Sequence, residues 1–165
     1  MNAGRSAVSV VVLSLVGALA LIGCAGASLA AEQTPLSKKA FIKQADKACR
    51  KADVAGNKLL DRFLVDIKAA EASGGNAAGD AALQSFIGEY QPVFEQMIDS
   101  IDALPAPKAD KKKVTKLLAA WRSEIDEQVA HPTKALTKDQ ALTSYHLSKA
   151  LGLKVCSSPG LDVTH

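Results

Sequence analysis

The chain has 165 residues, a formal net charge of +3 and 4% aromatic residues, made up of four Phe, two Tyr and one Trp. That length holds one domain once a targeting segment is removed, and so few aromatics leave Leu, Ile, Val and Ala to build the core, which suits packed helices better than strands. The weak positive charge and scarce stacking side chains exclude a DNA- or RNA-binding protein, which needs a concentrated basic face with base-reading groups.

Residues 6–31 carry no charge, and 7–22 are almost wholly apolar behind the single basic residue Arg5. A basic start, an apolar middle and a small-residue end are the parts of an export signal. Leu21-Ile22-Gly23-Cys24 resembles the bacterial lipobox, in which small residues precede a cysteine that receives a diacylglyceryl group before the peptide is cut ahead of it. Cys24 is thus the candidate lipidation site, with 1–23 as a signal peptide and 24–36 as a tether. Ala25-Gly26-Ala27 and Ser28-Leu29-Ala30 offer small side chains to ordinary signal peptidase, which would move the end to near residue 30 and release the protein. An uncharged run of this length can also remain as an uncleaved anchor.

The domain is expected over residues 37–160. Ser37 is a plausible N-cap for a first helix, in which Phe41, Ala45, Ala48, Cys49, Ala52, Gly56, Leu59, Phe63 and Ile67 fall within a stripe about 100° wide. Lys39, Lys43, Asp46, Lys47, Arg50, Asp53, Asp61 and Lys68 lie on the other side, and Asp66 falls at the edge of the stripe. The helix is expected to continue through Gly56-Asn57, with Cys49 pointing into the bundle. Residues 72–79, rich in Gly, Ala and Asn, read as a surface loop. Asp80 then reads as the N-cap of a second helix carrying Leu83, Phe86, Ile87, Tyr90, Val93, Phe94, Met97, Ile101 and Leu104, with a kink expected near Gly88 to Pro92.

Leu104-Pro105-Ala106-Pro107 stops that helix. Ala109 or Asp110 opens a third, containing Val114, Leu117, Leu118, Trp121, Ile125 and Val129, and His131-Pro132-Thr133 closes it. A last helix is expected from near Thr137, carrying Leu142, Tyr145, Leu147, Ala150 and Leu151 and capped by Gly152. Four amphipathic helices with short polar connections predict an all-α fold, a small antiparallel bundle of about four helices behind the N-terminal signal.

Cysteines occur at 24, 49 and 156. With Cys24 acylated or removed, an even pair remains, and in an exported chain such a pair reads as a disulfide between Cys49 and Cys156. The chain-entropy estimate gives a crosslink closing so long a loop roughly 4–5 kcal/mol. Two buried free thiols are the alternative, and two distant cysteines without a histidine pattern make a poor metal site.

Three segments together resemble a family of small exported proteins and lipoproteins of actinobacteria: Phe41-Ile42-Lys43-Gln44-Ala45-Asp46-Lys47-Ala48-Cys49, Leu104-Pro105-Ala106-Pro107 and Gly152-Leu153-Lys154-Val155-Cys156. The resemblance spans most of the chain after the signal. It implies a helical fold and paired cysteines, and it brings no active residue, because the family is functionally uncharacterised. The Gly-rich stretch before Asp80 is one place where this chain departs from that pattern.

Sharper chemistry finds little support. His131, His146 and Met97 occur without a Cys-x-x-Cys-His attachment or a Glu-x-x-His pair, so no haem, metal or other cofactor is expected. Asp99 and Asp102 stand three apart without a nucleophile elbow, a triad order or a phosphate-cradling loop, and catalysis is not expected. Lys39, Lys43, Lys47 and Lys51 recur every four residues and could rest on anionic lipid headgroups, or form a solvated face neutralised by Asp46 and Asp53. The functional expectation is a non-enzymatic envelope lipoprotein. It would be joined to the membrane through Cys24 and act on an unidentified envelope protein or component. The alternative is a secreted or anchored carrier with a small apolar ligand or cofactor between its helices.

Overall fold

The computed structural model describes residues 34–72, 75–134 and 142–157. The expected signal peptide, Cys24, the expected tether up to residue 33, the expected helix start near Thr137 and the expected end of the domain at 158–160 lie outside them.

Helix α1 spans Lys38–Ala72. Ser37 begins it as expected: its hydroxyl accepts the Ala40 N–H at 3.2 Å, and its carbonyl accepts the Phe41 N–H at 2.9 Å. Gly56 and Asn57 leave the helix unbroken. Phe41, Ala45, Cys49 and Gly56 are buried, and Ala48, Ala52, Leu59, Phe63 and Ile67 are half-buried, which is the predicted stripe. Asp66, at its edge, is exposed.

Helix α2 spans Asn76–Asp102, so it starts five residues earlier than the Gly- and Asn-rich composition suggested. Asp80 is helical and exposed, and Gly75 is the N-cap in an extended conformation. The Gly75 carbonyl accepts from Ala78 at 3.1 Å and from Gly79 at 3.5 Å. Extending a formed helix by a turn adds a hydrogen bond for each residue fixed, which outweighs the poor propensity of this short stretch. Helix α2 passes Pro92 without interruption; that residue is exposed and withholds one N–H from the ladder.

A Pro-rich connector leads to α3, Lys111–Ala130, and His131 ends it by donating its N–H to the Glu127 carbonyl at 2.8 Å. A single 3₁₀ turn, Pro132–Lys134, follows. The described part of α4 is Leu142–Leu151. Its C-terminus is a Schellman arrangement: Gly152 donates to the Lys149 carbonyl at 3.0 Å, and Leu153 donates to the Ser148 carbonyl at 3.0 Å. Gly152 has φ +87°, the left-handed conformation that this cap requires. One expectation for α4 fails, because Ala150 is exposed while Ser144 and Ser148 are buried beside Leu151.

Among the described residues the fold is all-α, a small bundle of four helices. Helices α1 and α2 run antiparallel: Ala52 and Met97 line one cleft, Gly56 meets the Tyr90 ring, and the Phe63 and Phe86 rings meet at a tilt. The main core lies at one end of the bundle. It joins Phe41, Ala45 and Cys49 of α1 to Met97, Ile98 and Ile101 of α2, to Val114, Leu117, Leu118 and Trp121 of α3, and to Leu151 and Leu153. From there a series of rings, Phe63, Phe86, Tyr90 and Phe94, runs along the α1–α2 seam and meets Trp121 of α3 edge-on, with neighbouring centroids 4.9–6.4 Å apart. Five of the seven aromatic residues thus form one connected series.

The entry to α1 is tied to the α2–α3 connector. Leu36 donates its N–H to the Pro105 carbonyl at 2.9 Å, and Lys38 reaches the Asp110 carboxylate at 3.5 Å. Burial alone would raise the Asp110 carboxyl, but the hydrogen bond from Lys113 and the charge of Lys38 outweigh it and hold the group below its ordinary value.

Candidate functional site

Cys49 and Cys156 form a disulfide, with Cα atoms 5.4 Å apart across a sequence separation of 107. Cys49 is buried on the inner stripe of α1, and Cys156 is half-buried in the segment that follows α4. The Cys156 sulfur also packs 3.8 Å from the Ala45 carbonyl oxygen.

What positions Cys156 is a residue that the helical projection had put on the solvated side. Asp46 is 6% exposed, and its carboxylate accepts the Lys154 N–H at 3.0 Å and the Val155 N–H at 2.9 Å. It stands three residues before Cys49 on the same flank of α1, so one turn of helix supplies both a charged acceptor and a sulfur to the returning chain. Charge-assisted bonds of this kind are about twice as strong as neutral ones. Asp46 therefore forms no ion pair with the lysine series among the described residues, and the expectation that placed it on the solvated face is corrected. The helical projection carried no hint of this role, since it places Asp46 outside the apolar stripe.

A second carboxylate acts similarly. Glu124 of α3 accepts the backbone N–H of Ser144 at 3.1 Å and its hydroxyl at 2.6 Å, in the first described turn of α4. A carboxylate there ties the described start of α4 to α3 through two charge-assisted hydrogen bonds. Nothing in the local sequence pairs residues 20 apart, so Glu124 was not legible. The Ser148 hydroxyl, fully buried one turn further along, has no hydrogen-bond partner among the described residues.

The remaining candidates separate. Lys39, Lys43, Lys47 and Lys51 are all exposed on the outer side of α1. Asp99 and Asp102, also exposed, both face Arg122 of α3, at 3.6 and 2.8 Å, and form a surface clasp between α2 and α3. Met97 is buried in the core, His131 is the exposed cap of α3, and His146 is exposed beside the Tyr145 ring. The three former ligand candidates are not brought together. Among the described residues there is no group of three or more His, Cys, Asp or Glu side chains able to hold a metal ion. Cys24 lies outside the described residues.

Two clefts follow the α1–α2 seam. One, of about 60 Å³, is lined by Ala48, Lys51, Ala52, Ala55, Val93, Gln96, Met97 and Ser100. The other, of about 40 Å³, lies between Leu59, Phe63 and Phe86 and is flanked by the ion pair of Arg62 with Glu89. Ligand pockets usually enclose roughly 300–1,000 Å³. Among the described residues no helix is long and apolar enough to cross a membrane. No known protein family, curated protein or solved structure matches the chain.

Proposed function

We propose that this chain is an exported lipoprotein of the cell envelope. Acyl groups on Cys24 hold it at the membrane, and its bundle serves as a non-enzymatic interaction module for an unidentified envelope protein or component. The observation that carries the reading is the Cys49–Cys156 disulfide, since such crosslinks persist where no cytosolic thiol pool reduces them. The uncharged leader ending in Leu21-Ile22-Gly23-Cys24 supports it independently.

The two clefts favour an interaction module over a carrier, because cavities of 60 and 40 Å³ are too small for an apolar ligand of ordinary size. Lipid extraction and native mass spectrometry of the purified protein distinguish the two, since only a carrier retains a stoichiometric ligand. The deciding experiment for the anchor is the intact mass of the mature N-terminus from the native host. A diacylated or triacylated Cys24 is expected. A chain beginning at Ser28 or Ala31, or one retaining Met1, overturns the lipoprotein reading.

A further inference from the structure

We infer that the N-terminal half of α1 docks on an anionic phospholipid surface, with Lys39, Lys43, Lys47, Arg50 and Lys51 against the headgroups. The inference rests on the anchored reading above and names the surface that the anchored domain meets.

At about 100° per residue, the five side chains occupy an arc of about 120° on the side of α1 away from the core. All five are exposed, and none has an ion-pair partner among the described residues. The acid that the sequence places among them is withdrawn, because the Asp46 carboxylate is buried and accepts two amides of the returning chain. From residue 38 to 52 the exposed charge on α1 is therefore entirely positive, and the next acid, Asp53, comes only after the series. The arrangement is a row of cations along one helix, with only Lys51 reaching a cleft and with no exposed aromatic ring among them, which fits a broad layer of phosphates better than one shaped protein partner or a stacked nucleic acid.

The tether supplies the second argument. Nine residues lie between Cys24 and Thr34, an extended reach of about 35 Å over the ten steps. A chain fixed at Cys24 keeps the row within reach of headgroups at all times, so weak contacts act at a high effective concentration. Each cation near an anionic leaflet strengthens the contact about fivefold.

The test uses the full chain on vesicles, either phosphatidylcholine alone or with about one-third phosphatidylglycerol, and reads lysine acetylation by mass spectrometry. On the anionic vesicles, Lys39, Lys43, Lys47 and Lys51 are expected to react at least about fivefold more slowly than on neutral ones, while Lys112 and Lys116 of α3 react at an unchanged rate. Salt at about 1 M, where screening shortens to ~3 Å, should abolish the difference. Reversing exposed charges in K39E/K43E/K47E, with helix content checked by circular dichroism, should remove the protection of Lys51. Equal labelling on the two lipids, protection that extends to α3, or insensitivity to salt overturns the proposal. Protection by soluble polyglutamate but not by anionic vesicles also overturns it, and assigns the row to an acidic macromolecule. A chain that does not float with neutral vesicles refutes the anchor alone, because protection by anionic vesicles is read without it.

Discussion

Asp46 is the residue on which the C-terminal segment depends most directly. Replacing it with Ala removes a charged acceptor from two amides, and Asp46→Ala should cost about 1.5–3 kcal/mol in urea unfolding, with Asp46→Asn losing less. The glycines make a contrasting pair. A Cβ at Gly56 would stand 3.0 Å from a Tyr90 ring carbon, and that ring is itself stacked between Phe86 and Phe94. Gly56→Leu should therefore destabilise by about 1–3 kcal/mol. Gly88 meets nothing within 4 Å, so Gly88→Ala should stabilise by about 0.5–1 kcal/mol through helix propensity alone, as the same urea midpoints would show. Tyr90 also titrates abnormally. Although part of the residue reaches solvent, burial and then the charge of Asp53 push its hydroxyl up to about 12. The phenol of an unfolded chain ionises near pH ~10, so stability present below that value is lost as pH rises through the window to the folded value. Urea midpoints across that window should fall for the native chain and fall less for Tyr90→Phe, with phenolate absorbance reporting the late proton.

At the scale of elements, α4 is the one that cannot stand by itself. Its described ten residues are below the length at which a helix persists alone in water. It is held by Glu124 at its first described turn, by Leu151 and Leu153 in the core, and by the disulfide beyond. Glu124→Ala should raise amide exchange across α4 selectively and leave α1 and α2 protected, a difference that hydrogen-exchange mass spectrometry resolves. The same contrast explains what could be read beforehand. Helices α1 and α3 were legible because Phe41, Ala45 and Cys49, or Val114, Leu117 and Trp121, repeat at helical spacing and bury one side. The start of α2 was not, because Gly and Asn near residue 76 carry a loop composition while the helix behind them extends backward. The inner side of α4 was not, because Ser144 and Ser148 are buried through contacts with α3 that no local pattern encodes. Asp46 was misplaced for a related reason: a projection of one helix shows polarity, and only the returning chain shows which polar flank is covered.

For the whole molecule, the covalent closure sets the stability scale. Removing it in Cys49→Ser/Cys156→Ser should cost about 4–5 kcal/mol by the loop-entropy estimate, read as a lower urea midpoint that reductant reproduces in the native chain. A loss below about 1 kcal/mol would mean that the unfolded chain is already compact without the crosslink. The bond also changes how the molecule transmits load. It joins the N-terminal part of α1 to the segment beyond α4, so helices α2, α3 and α4 hang from it as a closed ring. Tension applied between the stretch before Cys49 and the stretch after Cys156 passes through two sulfur atoms and leaves most of the helical body mechanically idle. A protease that nicks the connection around Gly75 would likewise leave both fragments attached until a reductant parts them.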